Sequence, residues 1–306
     1  MYEQIAGNVR RSWILIFSFI FLIVAIGWVF GQISGFGNGG LIFALIFALI
    51  FVLVSYFQSD RIILSMSSAQ EADPKRYPFL HNTVEGLALA AGVPKPKVYI
   101  IPDTALNAFA TGRDPEHSVV AVTAGLLEKL DRLELEGVIA HEMSHIKNYD
   151  IRVMTLTVVL VGVIVLLSDW MLRSFWWGGG RRRGGGGDGR SGAGFGILMI
   201  VGLALAILAP LFANLIRFAV SRQREYLADA SGAMLTRYPP GLASALRKIS
   251  ADVEPLEVAN KATAHLYIGA PNQVGVRGKT VQLMATHPPM EERIRRLESM
   301  GDIAKS

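Results

Sequence analysis

His141-Glu142-Met143-Ser144-His145 sets two imidazoles four residues apart, with a carboxylate between them. On an α-helix, positions four apart lie one above the other on the same face. Both rings can then aim at one point, which is what a tetrahedral metal ion needs from its first two ligands. Glu142 falls about 100° round the helix, near enough to hold a water at the ion but not aimed at the ion itself. A zinc hydrolase divides the work in this way: two nitrogens hold the ion, and a carboxylate takes the proton from the acidified water. The plain alternative is two ordinary histidines on a charged helix face. The surroundings favour the metal: Asp131 can open a helix, no proline interrupts it before Asp150, and Leu135, Ile139, Met143 and Ile146 give it an apolar stripe.

Two histidines leave such an ion one protein ligand short, because a catalytic zinc takes three plus water. The stretch Ser221 to Asp229 (SRQREYLAD) offers Glu225, with Asp229 one turn further along the same helix face. Asp229 would suit the next layer out, accepting the free ring N–H of a ligand histidine. From spacing alone, Glu225 is as readily a surface carboxylate paired with Arg222 or Arg224.

The elements that must carry these residues are mostly apolar. Of 306 residues, 51% are hydrophobic, which points to a membrane protein. There is no cysteine, so disulfides and thiolate ligands are excluded, and a metal must be held by His, Asp or Glu. The net charge of +5 is modest and its basic residues are not interleaved with aromatics, which argues for a membrane surface and against nucleic acid.

Trp13 to Phe30 and Leu41 to Phe57 are apolar runs long enough to span a bilayer, joined by a glycine-rich uncharged turn. No small-residue cleavage site follows the first, so it reads as an anchor and not a signal peptide. Arg10, Arg11 and Arg61 flank this hairpin and place both its ends in the cytosol. A soluble stretch follows. Tyr77 to Ala91 reads as a helix stopped by Gly92 and Pro94; Lys97–Ile101, Ala105–Thr111 and Ser118–Thr123 read as strands. A few strands packed on helices predict an α+β domain, mostly helical, in preference to a parallel sheet.

Two further apolar runs, Met154 to about Leu172 and Phe195 to Ala213, enclose a glycine-arginine loop containing Arg181, Arg182 and Arg183. The loop reads as a solvated linker whose arginines touch lipid head groups. If both runs span, it lies outside the cytosol, against the preference of its arginines; a hairpin that dips in without crossing is the alternative. The basic residues near the other span ends still favour a cytosolic domain. The division is a transmembrane hairpin over 1–58 with spans of about 13–30 and 41–57, a first part of the catalytic domain over 59–153, a second hairpin over 154–214, and the rest of the domain over 215–306. The motif helix and Glu225 can meet only if an even number of spans separates them, and two apolar runs lie between.

With these pieces in place the chain resembles the HtpX-type membrane metalloproteases, relatives of the CaaX prenyl endopeptidases. The matching segments are Asn107 to Gly112 (NAFATG), LELEGVIAHEMSHIKNYD, SRQREYLAD, and Thr286-His287-Pro288-Pro289 followed by EERIRRL. Together with the four-run hydropathy they cover nearly the whole chain; the long arginine-glycine loop is the departure. The resemblance implies one Zn2+ per chain bound by His141, His145 and Glu225, with Glu142 as catalytic base. It also implies a zincin-like domain on the cytosolic face of the bacterial cell (inner) membrane, acting on misfolded or damaged membrane proteins.

On this reading Asn107 to Thr111 is an edge strand that pairs with an extended substrate, or else an ordinary sheet strand. His287 donates to the oxyanion, or Thr286 to Pro289 simply opens the last helix. His81, His117 and His265 show no ligand spacing. A metal transporter would need polar groups near the bilayer midplane, and the apolar runs carry no charge there. An inactive scaffold or chaperone-like membrane protein would have no need of Glu142.

Overall fold

In the computed structural model, the residues described are 2–160, 162, 202, 222–259, 263–269 and 288–303. The described chain is mostly helical with one small sheet. It opens with two long helices, α1 (Tyr2–Ser34) and α2 (Asn38–Met66), that fold back on each other as a hairpin. Both are long and apolar enough to cross a bilayer. Their outward faces carry Trp13, Phe17, Phe21, Phe43, Ile50 and Phe57 in the open, whereas Phe19, Ile23, Ala48 and Val52 fill the seam between them. A soluble protein does not leave an apolar belt of that extent in water.

The hairpin closes on small residues. A methyl group on Gly27 would sit 2.9 Å from the Gly40 carbonyl oxygen, and one on Gly40 would sit 2.6 Å from the Gly31 Cα. Backbone therefore meets backbone at this crossing, the packing that small residues four apart permit between membrane helices. Each helix also runs well past its apolar run. α1 begins eleven residues before Trp13 (13 − 2 = 11), and α2 continues through Asp60 and Arg61 into the soluble part.

The sheet has the order β1-β2-β4-β3 among the described residues, with β1 Gln70–Glu71, β2 Lys97–Ile101, β3 Ala108–Gly112 and β4 Ser118–Thr123. The central pair, β2 and β4, is parallel, and both outer pairs are antiparallel. The sheet is thus mixed and not an all-parallel one, as an α+β domain allows. The period-2 pattern decides which side chains face which layer. Val98, Ile100, Ala108, Ala110, Val120 and Val122 pack towards α3 (Pro78–Ala91) and α5 (Arg132–Lys147). Ile101, Phe109, Val119 and Ala121 pack towards Ile63 and Leu64 at the end of α2 and towards Met154, Val158 and Tyr267. The predicted strand Ala105–Thr111 starts late because its first amides are bonded elsewhere: Ala105 N–H to Asp103 (2.9 Å) and Leu106 N–H to Asp252 (2.7 Å). α3 stops where expected, at Gly92 in the left-handed conformation.

α4 (Ala124–Lys129) leads into α5, the helix of the two histidines. Asp131 caps α5 by accepting from Glu134 N–H at 2.9 Å, and Glu134 returns the bond to Asp131 N–H at 2.8 Å. Glu134 is held further by Ser244 and Lys248, both at 2.6 Å, from helix α7 (Pro239–Ala251). Burial works against its charge, but Lys248, Ser244 and the Asp131 amide outweigh it and hold the carboxyl below the usual range. A depressed carboxylate contributes stability above its unfolded pKa, which is lost as pH falls through the folded value. Glu134→Gln is therefore expected to cost about 1–2 kcal/mol at pH 7. Thermal melts at pH 7 and pH 4 check this: the gap to the wild type should narrow in acid.

Candidate metal centre

α5 delivers His141 and His145 to one point, and α6 (Arg222–Thr236) delivers Glu225 to the same point from the side. His141 Nε2 and His145 Nε2 are 3.2 Å apart, and their rings stand edge to face. The Glu225 carboxylate reaches His145 Nε2 at 3.5 Å and His141 Nε2 at 3.8 Å. All three side chains are buried. The helices come this close because Gly232 of α6 lies against the α5 backbone, where a methyl group would be 3.0 Å from the His141 nitrogen.

Two ligands at zinc–nitrogen distance and a tetrahedral angle lie roughly 3.4 Å apart. The three observed separations bracket that value, so the donor set fits a divalent ion without rearrangement. The far side of each imidazole fits as well. His141 Nδ1 is 2.9 Å from Asp229 and His145 Nδ1 is 3.1 Å from Asp150. A carboxylate that accepts the Nδ1–H fixes the tautomer and leaves the Nε2 lone pair for a metal.

Asp150 reaches His145 through a break in the backbone. α5 ends at Lys147 with Asn148 as its C-cap, Tyr149 takes a positive φ of 60°, and residues 150–160 continue as a second helix. A tyrosine in that conformation costs about 1–2 kcal/mol, and the turn it makes swings Asp150 back beneath His145. Asp229 in turn is gripped by Arg293 of α8 (Met290–Ile303), which donates to it through Nε (2.8 Å) and Nη2 (2.7 Å). Arg293 is fully buried, donates to the Ile268 carbonyl at 3.1 Å, and lies 3.6 Å from Glu225.

The electrostatics follow from this packing. Burial pushes the Glu142 carboxyl up to about 7; His145 opposes the shift and Glu225 reinforces it. For Asp229 burial also works upward, but Arg293 and His141 outweigh it and hold the group at about 2. Burial disfavours charge on His141 and lowers it, despite Asp229. On His145 burial is outweighed by Asp150, Glu225 and Glu142, which raise it to about 9.

Glu142 sits beside the edge strand, where the Ala110 amide of β3 works against the upward shift of its carboxyl. The outer edge of β3 is partly taken by the chain itself. Ile268 N–H donates to the Ala108 carbonyl at 3.0 Å. The Asn107 side-chain amide pairs both ways with Gly269, at 3.1 and 3.2 Å. Of the other singled-out residues, His81 bonds the Ala72 carbonyl and His117 bonds Asp114. His287, and the second apolar hairpin beyond 160 apart from 162 and 202, lie outside the described residues.

Asp150, Arg224 and Arg293 escaped the sequence reading as parts of the site. Asp150 carried a weak signal, an acid five residues past His145 at the end of the motif stretch. Arg293 carried none, being one of three arginines in EERIRRL.

Residues 74–301 match peptidase family M48. The chain is 49% identical over 301 residues to the Protease HtpX homolog of Dictyoglomus thermophilum, covering 98% of this chain and 95% of that one. It is 50% identical over 300 residues to the Protease HtpX homolog of Caldanaerobacter subterraneus, covering 98% of each. Against the Protease HtpX homolog of Tropheryma whipplei it is 46% identical over 302 residues and 99% of each chain. The crystal structure of S. mikatae Ste24p is similar with a TM-score of 0.49 and 18% identity, over 97% of this chain and 67% of that one.

Proposed function

The chain belongs to peptidase family M48, and from that premise we propose that it is a zinc-dependent endopeptidase of the membrane. His141, His145 and Glu225 hold one zinc ion, and Glu142 is the general base. The observation that carries this reading is the convergence of two Nε2 atoms and one carboxylate within 4.8 Å of one another. Two imidazoles and a carboxylate are a donor set that suits zinc.

Bound there, zinc supplies the Lewis acidity that makes water a nucleophile near neutral pH. The protein does the rest. Asp229 and Asp150 keep the two imidazoles in the tautomer that presents Nε2. Glu142 takes a proton from the attacking water and returns it to the leaving nitrogen as the C–N bond breaks, giving a carboxylate and an amine. Burial lifts its carboxyl, and the positive charge of a bound ion would draw it back toward the carboxylate that accepts the proton. The substrate enters as an extended segment along the part of the β3 edge that no described residue pairs with, near Ala110, beside the Glu142 carboxylate. Backbone pairing there gives affinity without strong sequence preference.

The protein sits in the cell membrane through α1 and α2 and a second hairpin over 154–214, with its catalytic domain in the cytosol. Arg10, Arg11 and Arg61 at the ends of the first hairpin support that orientation. Its substrates are unfolded or damaged membrane proteins, which offer extended backbone at the bilayer surface.

The test is cleavage of an unfolded reporter protein by the detergent-purified chain. Cleavage should stop with a zinc chelator, return on adding back zinc, and follow a metal content of one ion per chain. Cleavage that survives complete chelation sinks the metal mechanism.

A further inference from the structure

The polar start of α1 runs beneath the metal centre before the helix becomes apolar. Asn8 is buried there, 2% exposed, and one amide group meets three parts of the site. Its Nδ2 donates to the Asn148 carbonyl at 2.8 Å and to Asp150 Oδ1 at 2.7 Å. Its Oδ1 accepts from Arg224 at 3.2 Å and from Arg11 at 3.5 Å. Asp150 uses its other oxygen, Oδ2, on His145 Nδ1. Arg224 also donates to Asp150 Oδ1 at 3.2 Å, and its chain neighbour is Glu225.

We propose that Asn8 is a positioning residue of the metal centre, through which the N-terminal membrane helix holds Asp150, and so His145, in ligating geometry. The inference rests on the zinc reading above. Its physical core is the donor and acceptor count. Asp150 Oδ1 and the Asn148 carbonyl need donors, and Arg224 needs an acceptor. A carboxamide is a short side chain that offers both at once. Aspartate at this position would bring lone pairs against Asp150, and leucine would bring nothing. In either case Asp150 is left freer to turn away from His145. Partners that orient a metal-bound imidazole in this way are worth about 10–100-fold in metal affinity.

A residue that merely glued α1 to the domain would affect stability without singling out the metal. Ile23 provides the comparison. It is buried in the α1–α2 seam, fifteen residues (23 − 8 = 15) or roughly 22 Å along the helix from Asn8, in an apolar cluster that contains none of the site's residues.

The experiment measures zinc affinity of the full chain in detergent by competition with a chromophoric zinc chelator, alongside melting temperature. Asn8→Leu and the milder Asn8→Ser are compared with Ile23→Ala. The expected result is a 10–100-fold weaker zinc affinity for Asn8→Leu, a smaller loss for Asn8→Ser, and wild-type affinity for Ile23→Ala even where it melts lower. Should Asn8→Leu misfold, Asn8→Ser alone decides. Wild-type affinity in the Asn8 variants overturns the inference, as does an equal loss in Ile23→Ala. A wild-type chain that binds no zinc overturns the metal reading first, and this inference with it.

Discussion

Glu142→Gln is expected to abolish peptide hydrolysis, by about 10²–10⁴-fold or more, while zinc remains bound. Glutamine fills nearly the same volume and keeps a carbonyl oxygen, so the helix and its two histidines are left in place. What it loses is the ability to carry a proton from water to the leaving nitrogen. The substitution also carries a pH signature. Burial raises the Glu142 carboxyl to about 7, above its unfolded value, so its favourable contribution is complete below about pH 4.5 and fades as pH rises through 7. A neutral glutamine has no such dependence. With zinc stripped by a chelator, Glu142→Gln should therefore melt no lower than the wild type at pH 8. Cleavage by Glu142→Gln at the wild-type rate would remove Glu142 from the mechanism. Equal inactivity of both proteins, each holding zinc, would favour a scaffold.

Arg293→Met carries the largest expected effect on stability. The arginine is fully buried and makes a two-pronged contact with Asp229, so methionine keeps much of the volume but leaves a buried carboxylate with His141 as its remaining partner among the described residues. Removing one member of such a pair costs about 3–5 kcal/mol, because the other cannot recover water. The Ile268 carbonyl also loses a donor. Asp229 then turns away from His141, and zinc affinity falls along with the melting temperature. Adding Asp229→Asn to Arg293→Met should recover part of the stability, since the uncompensated charge is gone. Lysine at 293 should rescue poorly, because it offers no planar fork to the carboxylate. A melting temperature for Arg293→Met within a degree or two of the wild type would refute this account.

The parts of the site that could be read from sequence are those written in local periodicity. His141, Glu142 and His145 announce themselves because a helix turns residues four apart onto one face. Asp131 announces the start of that helix as a residue able to cap it, and the structure adds Glu134 as its capping-box partner. β2 and β4 appear with the bounds expected from their alternation, and α3 differs only in its first residue. Pairing partners carry no such local mark. Nothing in Lys97–Ile101 or Ser118–Thr123 indicates that these strands lie side by side and parallel. Arg293 and Asn8 were invisible for the same reason: each acts on a carboxylate far away in sequence, Asp229 or Asp150. The short polar stretch before Trp13 gives no local sign that it extends α1 into the domain, because the burial of Asn8 comes from contacts with residues 148, 150 and 224.

The metal centre is drawn from residues scattered along the chain, and a ribosome makes them in order. Asn8 comes first, then His141 and His145 with Asp150, then Glu225 and Asp229, and Arg293 last. Until the later segments are made, the two histidines have neither the Glu225 carboxylate nor the Asp229 brace beside them. A nascent chain thus carries the hydrolytic motif in inert form, and its own unfolded segments, the kind of substrate the finished enzyme would take, pass through synthesis before the blade is assembled.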